Sequence, residues 1–273
     1  ALERLHHQLK EQSERWDRIN KIGRTHLMDA TPIRMGQVFS GYAEQTGLAV
    51  GRVNKAIHAL SELAIGGTAV GTGINTHLEF GQRVAQKLAS QTGIDFAEAA
   101  NHPEAQAGKD AMVEASGNLK TIATSLSKIA NDIRHLGSGP RCGIFELQLP
   151  AIQPGSSIMP GKVNPVICES VIQVACRVSA NDQAITTANF GGVGSIFELN
   201  VAMPVMADAM IESIDLMTNV SHVMVDKLLA GLQVNEARCK ELIEQSLMMV
   251  TSLAPEIGYD NAAKLAKQAF EEN

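Results

Sequence analysis

Aromatic side chains are scarce in this sequence, which has one Trp, two Tyr and seven Phe among 273 residues. Alanine, leucine, isoleucine and methionine supply most of the apolar content instead, and 23 glycines fall largely between the apolar segments. Aromatic residues favour strands, whereas alanine, leucine and methionine favour helices. The composition therefore favours long, closely packed helices over a sheet, and we predict an all-α protein.

The sequence also lacks paired cysteines, apolar runs of membrane length and basic patches. Its four cysteines form no C-x-x-C pair, which indicates reduced, small buried residues in a cytosolic protein. No apolar run approaches the roughly 20 residues of a membrane span, and no signal or transit peptide is visible. The net charge of −6 argues against nucleic acid as a partner. We expect a cytoplasmic protein, or one of the mitochondrial matrix if the source is eukaryotic, without a membrane or nucleic-acid partner.

Helical periodicity covers most of the chain. Apolar residues recur at helical spacing in segments 1–21, 36–64, 78–92, 104–136, 166–188, 204–229, 235–248 and 260–272. Long segments with few aromatics favour a bundle of long helices. Gly41, Gly47 and Gly51 indicate close packing, because glycine inside a helix costs about 1 kcal/mol relative to alanine. We predict that residues 24–35, between the first two helices, form a loop.

The helical pattern also predicts how the chain is organised. After Gly231 the helices become shorter, so we predict a central bundle domain over 1–231 and a partial C-terminal helical domain over 232–273. The apolar face of segment 204–229 is wider than one bundle needs to bury, which favours packing against further copies of the chain. A monomeric bundle is the alternative.

The stretch from Gly155 to Pro165 is a loop that carries polar chemistry. It reads Gly-Ser-Ser-Ile-Met-Pro-Gly-Lys-Val-Asn-Pro, and its glycines and prolines exclude a helix interior or a central strand. Glycine exposes backbone N–H donors, Lys162 carries a point charge and Asn164 carries a directional amide, so the loop is suited to binding an anion. The alternative is a helix connector whose polar groups satisfy its own backbone.

The stretch resembles the signature loop of the fumarase/aspartase superfamily. Other segments resemble the same family in the expected order, namely 23–32 (Gly-Arg-Thr-His-Leu-Met-Asp-Ala-Thr-Pro, the histidine motif), 67–75, 137–143 and 197–201. Gly161, Thr31 and the pair Phe197-Glu198 are closer to class II fumarases than to aspartases. The resemblance implies a long-helix bundle that hydrates fumarate reversibly to (S)-malate, by anti addition, in the tricarboxylic acid cycle. It implies neither a cofactor nor a metal.

The resemblance assigns the chemistry first to the loop. Ser156 is implied to be the general base, which removes a proton from the carbon next to a substrate carboxylate. Serine is a very weak acid, so its alkoxide needs backbone N–H donors and nearby positive charge, for which Gly161 and Lys162 are suited. Lys162 and Asn164 are implied to bind and polarise the substrate carboxylate.

The remaining implied roles fall on five residues. His26, with Glu169 as its acid partner, is implied to orient or protonate water, and Thr25 to offer a hydroxyl to the substrate. An exposed loop histidine and a glutamate that caps a helix are the plain alternatives. Gly155 and Ser157 complete the loop, and we expect Ser157 to hydrogen-bond within the turn.

The family also implies a homotetramer in which three subunits each donate one motif to an active site. Two of these motifs are present here, around His26 and Ser156, whereas the motif that precedes them in the family is absent from the sequence. Two rival interpretations remain open. One is an aspartate ammonia-lyase, and the other is a catalytically silent, truncated oligomerisation core.

Overall fold

The computed structural model describes residues 1–272, and most of them lie in α-helices. The helices are α1 (Leu2–Arg15), α2 (Met35–Ala59), α3 (Phe80–Thr92), α4 (His102–Ala107), α5 (Asp110–Leu136), α6 (Val166–Ala188), α7 (Met203–Val223), α8 (Glu236–Gln245), α9 (Ala254–Ile257) and α10 (Tyr259–Glu272). A π-helical turn (Met224–Leu228) and a 3-10 turn (Leu229–Gly231) follow α7, and a second 3-10 segment (Leu247–Leu253) follows α8. The predicted all-α class is confirmed.

The strands are short and pair two by two. An antiparallel hairpin is formed by β1 (Asn20–Thr25) and β2 (Met28–Arg34). The remaining pairs are β3 (Glu62–Leu63) with β4 (Ala97–Glu98), parallel, and the antiparallel pairs β5 (Leu147–Gln148) with β8 (Gln233–Val234) and β6 (Ser195–Ile196) with β7 (Leu199–Asn200). These strands are local connections between helices, so the helices carry most of the structure.

The predicted helices 78–92 and 166–188 agree with α3 and α6, but the predicted helix 104–136 is interrupted. Gly108 has an extended backbone with ψ 144°, and its N–H caps the Glu104 carbonyl at 2.7 Å. The next N–H, that of Lys109, donates to the Asn189 side chain at 2.8 Å. The hydrogen bond between Lys109 and Asn189 therefore accompanies the start of a new helix, α5. Helical periodicity could not reveal this break, because the two residues are distant in sequence.

The prediction of a helix over 1–21 followed by a loop over 24–35 is wrong. Helix α1 ends at Arg15, and β1 and β2 occupy residues 20–34. The Trp16 carbonyl accepts the N–H of Ile19 at 3.1 Å and that of Gly36 at 3.0 Å. Pairing with a segment that follows in the chain thus takes the hydrogen-bonding groups that a longer helix would have used.

Contacts divide the chain into two compact units. The first consists of residues 1–2, 46–128 and 169–222, and the second of residues 3–45, 129–168 and those from 223 onwards. In the first unit, buried Asp182 of α6 accepts the Ser116 hydroxyl of α5 at 2.9 Å and pairs with Lys120. These contacts fix α5 against α6.

An aromatic cluster lies inside the second unit. The Phe39 ring packs edge-on against Trp16 at 4.6 Å and against Tyr42 at 5.3 Å between ring centroids. All three rings are buried, and the Tyr42 hydroxyl donates to Asp132 of α5 at 2.9 Å. Edge-to-face pairs add to the stabilisation by burial, so the cluster links the residue that follows α1 to α2 and α5 within this unit.

The four cysteines lie in two different environments. No disulfide occurs among the described residues. Cys168 and Cys239 are buried as predicted, but Cys142 and Cys176 are exposed, so the interpretation of all four as buried is wrong.

Across residues 1–272, no helix combines the length and the apolarity that crossing a bilayer requires.

A close approach of backbone on α2 occurs at Gly36, and not at the predicted Gly41 and Gly51. A Cβ on Gly36 would lie 2.4 Å from the Ser13 carbonyl oxygen and 2.5 Å from the Asp17 Cα. A Cβ on Gly41 or Gly51 would have no atom of this chain within 4 Å. Close packing by those two glycines is therefore absent within the described chain.

Gly36→Ala is expected to lower the free energy of unfolding by about 1–3 kcal/mol, because the added methyl group overpacks against rigid backbone. Gly41→Ala is the matched control on the same helix, and it should raise the free energy of unfolding by up to about 1 kcal/mol. Denaturant unfolding followed by circular dichroism measures both. Equal stability of the two variants would contradict the close approach at Gly36.

Candidate active site

The loop of residues 155–164, here called the serine loop, is closed at its base. The Asn164 side-chain amide donates to the Gly155 carbonyl at 2.5 Å. A Cβ on Gly155 would lie 2.0 Å from the Lys162 carbonyl oxygen, so the two ends of the loop approach too closely for any residue but glycine. Asn164 and Gly155 therefore hold the loop in one shape.

Ser156 is at the centre of the serine loop. Its hydroxyl oxygen accepts the backbone N–H of Ile158 at 3.1 Å and that of Met159 at 3.0 Å. Ser156 is half-buried and Ser157 is exposed. The expectation that Ser157 makes the hydrogen bonds of the turn is wrong, because Ser156 makes them. Two N–H dipoles thus point at one serine oxygen, where they stabilise negative charge.

Lys162 follows a tight turn and is exposed. Its N–H donates to the Met159 carbonyl at 3.3 Å, and Pro160 and Gly161 occupy the central positions. Gly161 has φ +78°, the left-handed conformation that the second central residue of a type II turn requires. Within residues 1–272 the Lys162 ammonium makes no ion pair or hydrogen bond, so it is available to an anion.

His26 lies at the tip of the hairpin formed by residues 20–34, here called the histidine hairpin. Thr25 pairs with Met28, so His26 and Leu27 form a two-residue turn. Their φ values are +57° and +63°, as in a type I′ turn. Asn and Gly usually occupy these positions, since the left-handed conformation costs other residues about 1–2 kcal/mol each. Strain of this kind is concentrated at functional sites, so the tip is a candidate site.

The tip of the histidine hairpin faces solvent. Thr25 and His26 are exposed, as are Leu27 at 77% and Met28 at 69%. Among the described residues, the His26 imidazole has no hydrogen-bond or ion-pair partner. Among the hydrogen bonds of residues 1–272, some lie within the serine loop and others within the hairpin. None of them connects the serine loop to the tip of the hairpin. One chain therefore leaves both groups open to partners outside it.

Glu169, the predicted acid partner of His26, is half-buried in the first turn of α6. It belongs to the first compact unit, whereas His26 and the serine loop belong to the second. Its carboxylate makes no ion pair within the described residues. The pairing of Glu169 with His26 stays a prediction.

A buried ion cluster at the base of the histidine hairpin escaped the sequence analysis. The Glu146 carboxylate oxygen Oε2 accepts the Arg24 guanidinium at 2.9 Å and the Lys21 ammonium at 3.2 Å. The exposed fractions of these side chains are 0% for Glu146, 4% for Lys21 and 14% for Arg24. No motif or periodicity in the sequence marks Glu146 as buried, so nothing pointed to this cluster.

The burial of this cluster alters the protonation of neighbouring groups. Desolvation lowers the pKa of the Lys21 ammonium, although the Glu146 carboxylate opposes this change. Desolvation, helped by Glu146, raises the pKa of the Cys239 thiol to about 12. Cys239 is therefore a protonated, buried thiol rather than a nucleophile.

Among residues 1–272, no three His, Cys, Asp or Glu side chains form a group that could hold a metal ion.

Comparison with known proteins identifies the family. Residues 1–180 match the family described as Lyase. The class II fumarate hydratase of Mycobacterium tuberculosis (strain CDC 1551 / Oshkosh) is 53% identical over 273 residues, which are 100% of this chain and 57% of that protein. The mitochondrial fumarate hydratase of Rhizopus oryzae is 50% identical over 272 residues, 100% of this chain and 54% of that protein.

A solved structure agrees with these sequence comparisons. The class II fumarase from Schistosoma mansoni superposes with a TM-score of 0.95 at 38% identity, covering 99% of this chain and 59% of the other. The chain therefore belongs to the lyase family and has the helical fold of the fumarase/aspartase superfamily. Within that superfamily the predicted resemblance to class II fumarases is confirmed. The chain spans less than three fifths of the length of these relatives.

Leu27→Gly is expected to raise the free energy of unfolding by about 1 kcal/mol, because glycine adopts the φ of +63° at this position without strain. Met28→Gly is the matched control in the adjoining strand, where glycine should lower the free energy of unfolding by about 0.5–1 kcal/mol. Thermal and denaturant unfolding measure both. A Leu27→Gly variant that loses as much stability as Met28→Gly would rule out a strained turn.

Proposed function

We propose that the protein catalyses the reversible hydration of fumarate to (S)-malate. The observation that carries the proposal is the Ser156 oxygen, which accepts two backbone N–H groups in a loop that also presents the unpaired Lys162. The identity of 50–53% with proteins named fumarate hydratase supports the same reaction. We place the reaction in the tricarboxylic acid cycle and the protein in the cytoplasm or, for a eukaryotic source, in the mitochondrial matrix, since the relative from Rhizopus oryzae is named mitochondrial.

In the dehydration direction, Ser156 takes the proton from the carbon next to one carboxylate of malate. The electron pair of the broken C–H bond moves into that carboxylate, which becomes an aci-carboxylate dianion. The N–H groups of Ile158 and Met159 stabilise the serine alkoxide before the proton moves. Lys162 stabilises the carboxylate charge as it grows, so this contact is stronger in the transition state than with bound malate.

Asn164 has two roles in this proposal. One of its two amide N–H donors closes the serine loop on the Gly155 carbonyl. The other donor remains for the substrate carboxylate. A loop that is held in shape before the substrate binds loses less entropy when it binds, which favours turnover.

The histidine hairpin serves the other carbon of the substrate. In dehydration the C–O bond breaks and the hydroxyl group leaves as water, with a proton that His26, paired with Glu169, supplies. In hydration the same group orients the water that adds to this carbon and takes its proton, and Thr25 hydrogen-bonds the substrate. Two observations support this assignment, namely the strained turn at His26 and its exposure at the tip. Because no hydrogen bond or ion pair of the described residues joins the tip to the serine loop, we assign these groups to sites shared between subunits.

We further propose that the protein assembles as a homotetramer. On α7, the side chains of Met203, Ile211 and Ile214 fall on one helical face and are 46%, 59% and 45% exposed. Phe197, at the turn between β6 and β7, is 85% exposed. Large apolar side chains that are exposed on one chain favour burial against another copy. The proposal also keeps the division into a bundle domain over 1–231 and a partial C-terminal helical domain over 232–273.

Turnover of fumarate, followed by the loss of its ultraviolet absorbance, tests the reaction. The assay uses the 273-residue chain and, where the gene encodes a longer protein, that whole protein. We expect hydration of fumarate and no release of ammonia from aspartate. Ammonia release without hydration would make the protein an aspartate ammonia-lyase. Silence on both substrates in the whole protein would make it a non-catalytic oligomerisation core.

Ser156→Ala is expected to lower turnover by about 10²–10⁴-fold, because the general base is lost. Ser157→Ala is the matched control, since Ser157 makes no side-chain hydrogen bond within residues 1–272, and it should retain turnover within a few-fold. Size-exclusion chromatography confirms that both variants assemble. Activity of Ser156→Ala near that of Ser157→Ala would refute the general-base role.

A further inference from the structure

We propose that Glu146 is a positioning residue, which holds the histidine hairpin so that His26 stands at a fixed place. Glu146 does not touch the proposed substrate and acts through Arg24 and Lys21. The catalytic consequence of this role rests on the proposed function, whereas the mechanical role does not.

Glu146 is itself held by backbone contacts. Its carbonyl accepts the N–H of Asn235 at 2.9 Å, and the Cys239 thiol lies 4.0 Å from the same oxygen. The residues after Glu146 form β5, which pairs with β8. The carboxylate therefore extends from a frame that includes the start of α8, rather than from a mobile loop.

Both contacts that the Glu146 carboxylate makes within the described residues are with side chains of the hairpin. Its Oε2 atom accepts Arg24 and Lys21, and its buried Oε1 atom has no partner within residues 1–272. Charge-assisted hydrogen bonds are stronger in a desolvated place, where water does not compete. Without the carboxylate, two cations would remain buried together, and the strand would have to move to hydrate them.

A β-bulge lies between the two cations of the hairpin. Lys21 and Arg24 are three residues apart, so a regular strand would direct them to opposite faces. The register between β1 and β2 shifts between them, and the extra residue lies in β2, where two residues face Gly23 alone. A Cβ on Gly23 would lie 2.4 Å from the Thr31 carbonyl oxygen. The bulge increases the local twist of the hairpin between the two cations that contact Glu146.

The tip of the hairpin has no comparable support of its own. His26 and Leu27 are in a strained conformation, and the His26 side chain has no partner in the described chain. Arg24 lies two residues before His26, so its contact with Glu146 attaches the hairpin close to the tip. The place of His26 is therefore set from the base.

Glu146→Gln tests this role, with Asp182→Asn as the matched control. Asp182 is also a buried carboxylate that pairs with a lysine, but it belongs to the first compact unit, whereas the hairpin belongs to the second. Amide hydrogen exchange, read by peptide mass spectrometry, compares residues 20–34 with α5 and α6. We expect exchange in 20–34 to rise by about tenfold or more in Glu146→Gln and to stay at the parent level in Asp182→Asn.

The kinetic readout separates positioning from general destabilisation. We expect kcat for fumarate to fall by about 10–100-fold in Glu146→Gln while KM changes less than threefold or so, because displacement of His26 affects the reaction step more than carboxylate binding. Asp182→Asn should keep both constants near the parent values. Arg24→Met is a second variant, which leaves the Lys21–Glu146 pair in place and therefore buries no unpaired charge. It should show the same two changes.

Each result decides the proposal. Faster exchange in 20–34 together with the fall in kcat supports it. Unchanged exchange in Glu146→Gln and Arg24→Met overturns the mechanical role, whatever the activity. Faster exchange with an unchanged kcat overturns the link to catalysis. If the parent protein hydrates no fumarate, the proposed function fails, and the exchange data still decide whether Glu146 holds the hairpin.

Discussion

The meeting of Lys21 and Arg24 at one buried oxygen of Glu146 is the constraint on which the candidate site depends. Three charged side chains have left water, and their cost is offset only while the geometry of all three is kept. The bulge opposite Gly23, the pairing of β5 with β8 and the contact of Asn235 all contribute to that geometry. A change at any of these places therefore reaches the tip of the hairpin, even though none of them lies at the tip.

The chemistry of this chain is carried by irregular backbone, whereas its long helices supply stability. Ser156, Lys162 and Asn164 lie in a loop, and His26 lies in a two-residue turn. A helix interior offers no unpaired N–H to an anion, because its donors are used within the helix. Loops provide those donors, but they must be held in shape, and here the Asn164–Gly155 clamp does this. Loops carry the polar groups of the candidate site and helices supply stability, because the two use their backbone hydrogen bonds differently.

The helices were largely predictable from the sequence, and the hairpin and its anchor were not. The start of α6 at Val166 follows from Pro165 and from apolar periodicity, both of which are local signals. The histidine hairpin gives no such signal, since His26-Leu27 lacks the Asn-Gly pattern of a type I′ turn. That Ser156 rather than Ser157 accepts the N–H groups of the turn, or that Glu146 is buried, follows only from the folded backbone. Residue types therefore located the loop, while the folded backbone determines which atoms make the contacts.

The single tryptophan gives this fold an optical reporter of its own. Trp16 is shielded from water, with 4% of its surface exposed, and its ring meets the edge of Phe39 just before the chain enters the histidine hairpin. An indole in such surroundings emits at shorter wavelength than one in water. Its fluorescence therefore registers events in the compact unit that contains the hairpin and the serine loop, without interference from another tryptophan. Spectroscopy of the unlabelled chain can follow that unit selectively.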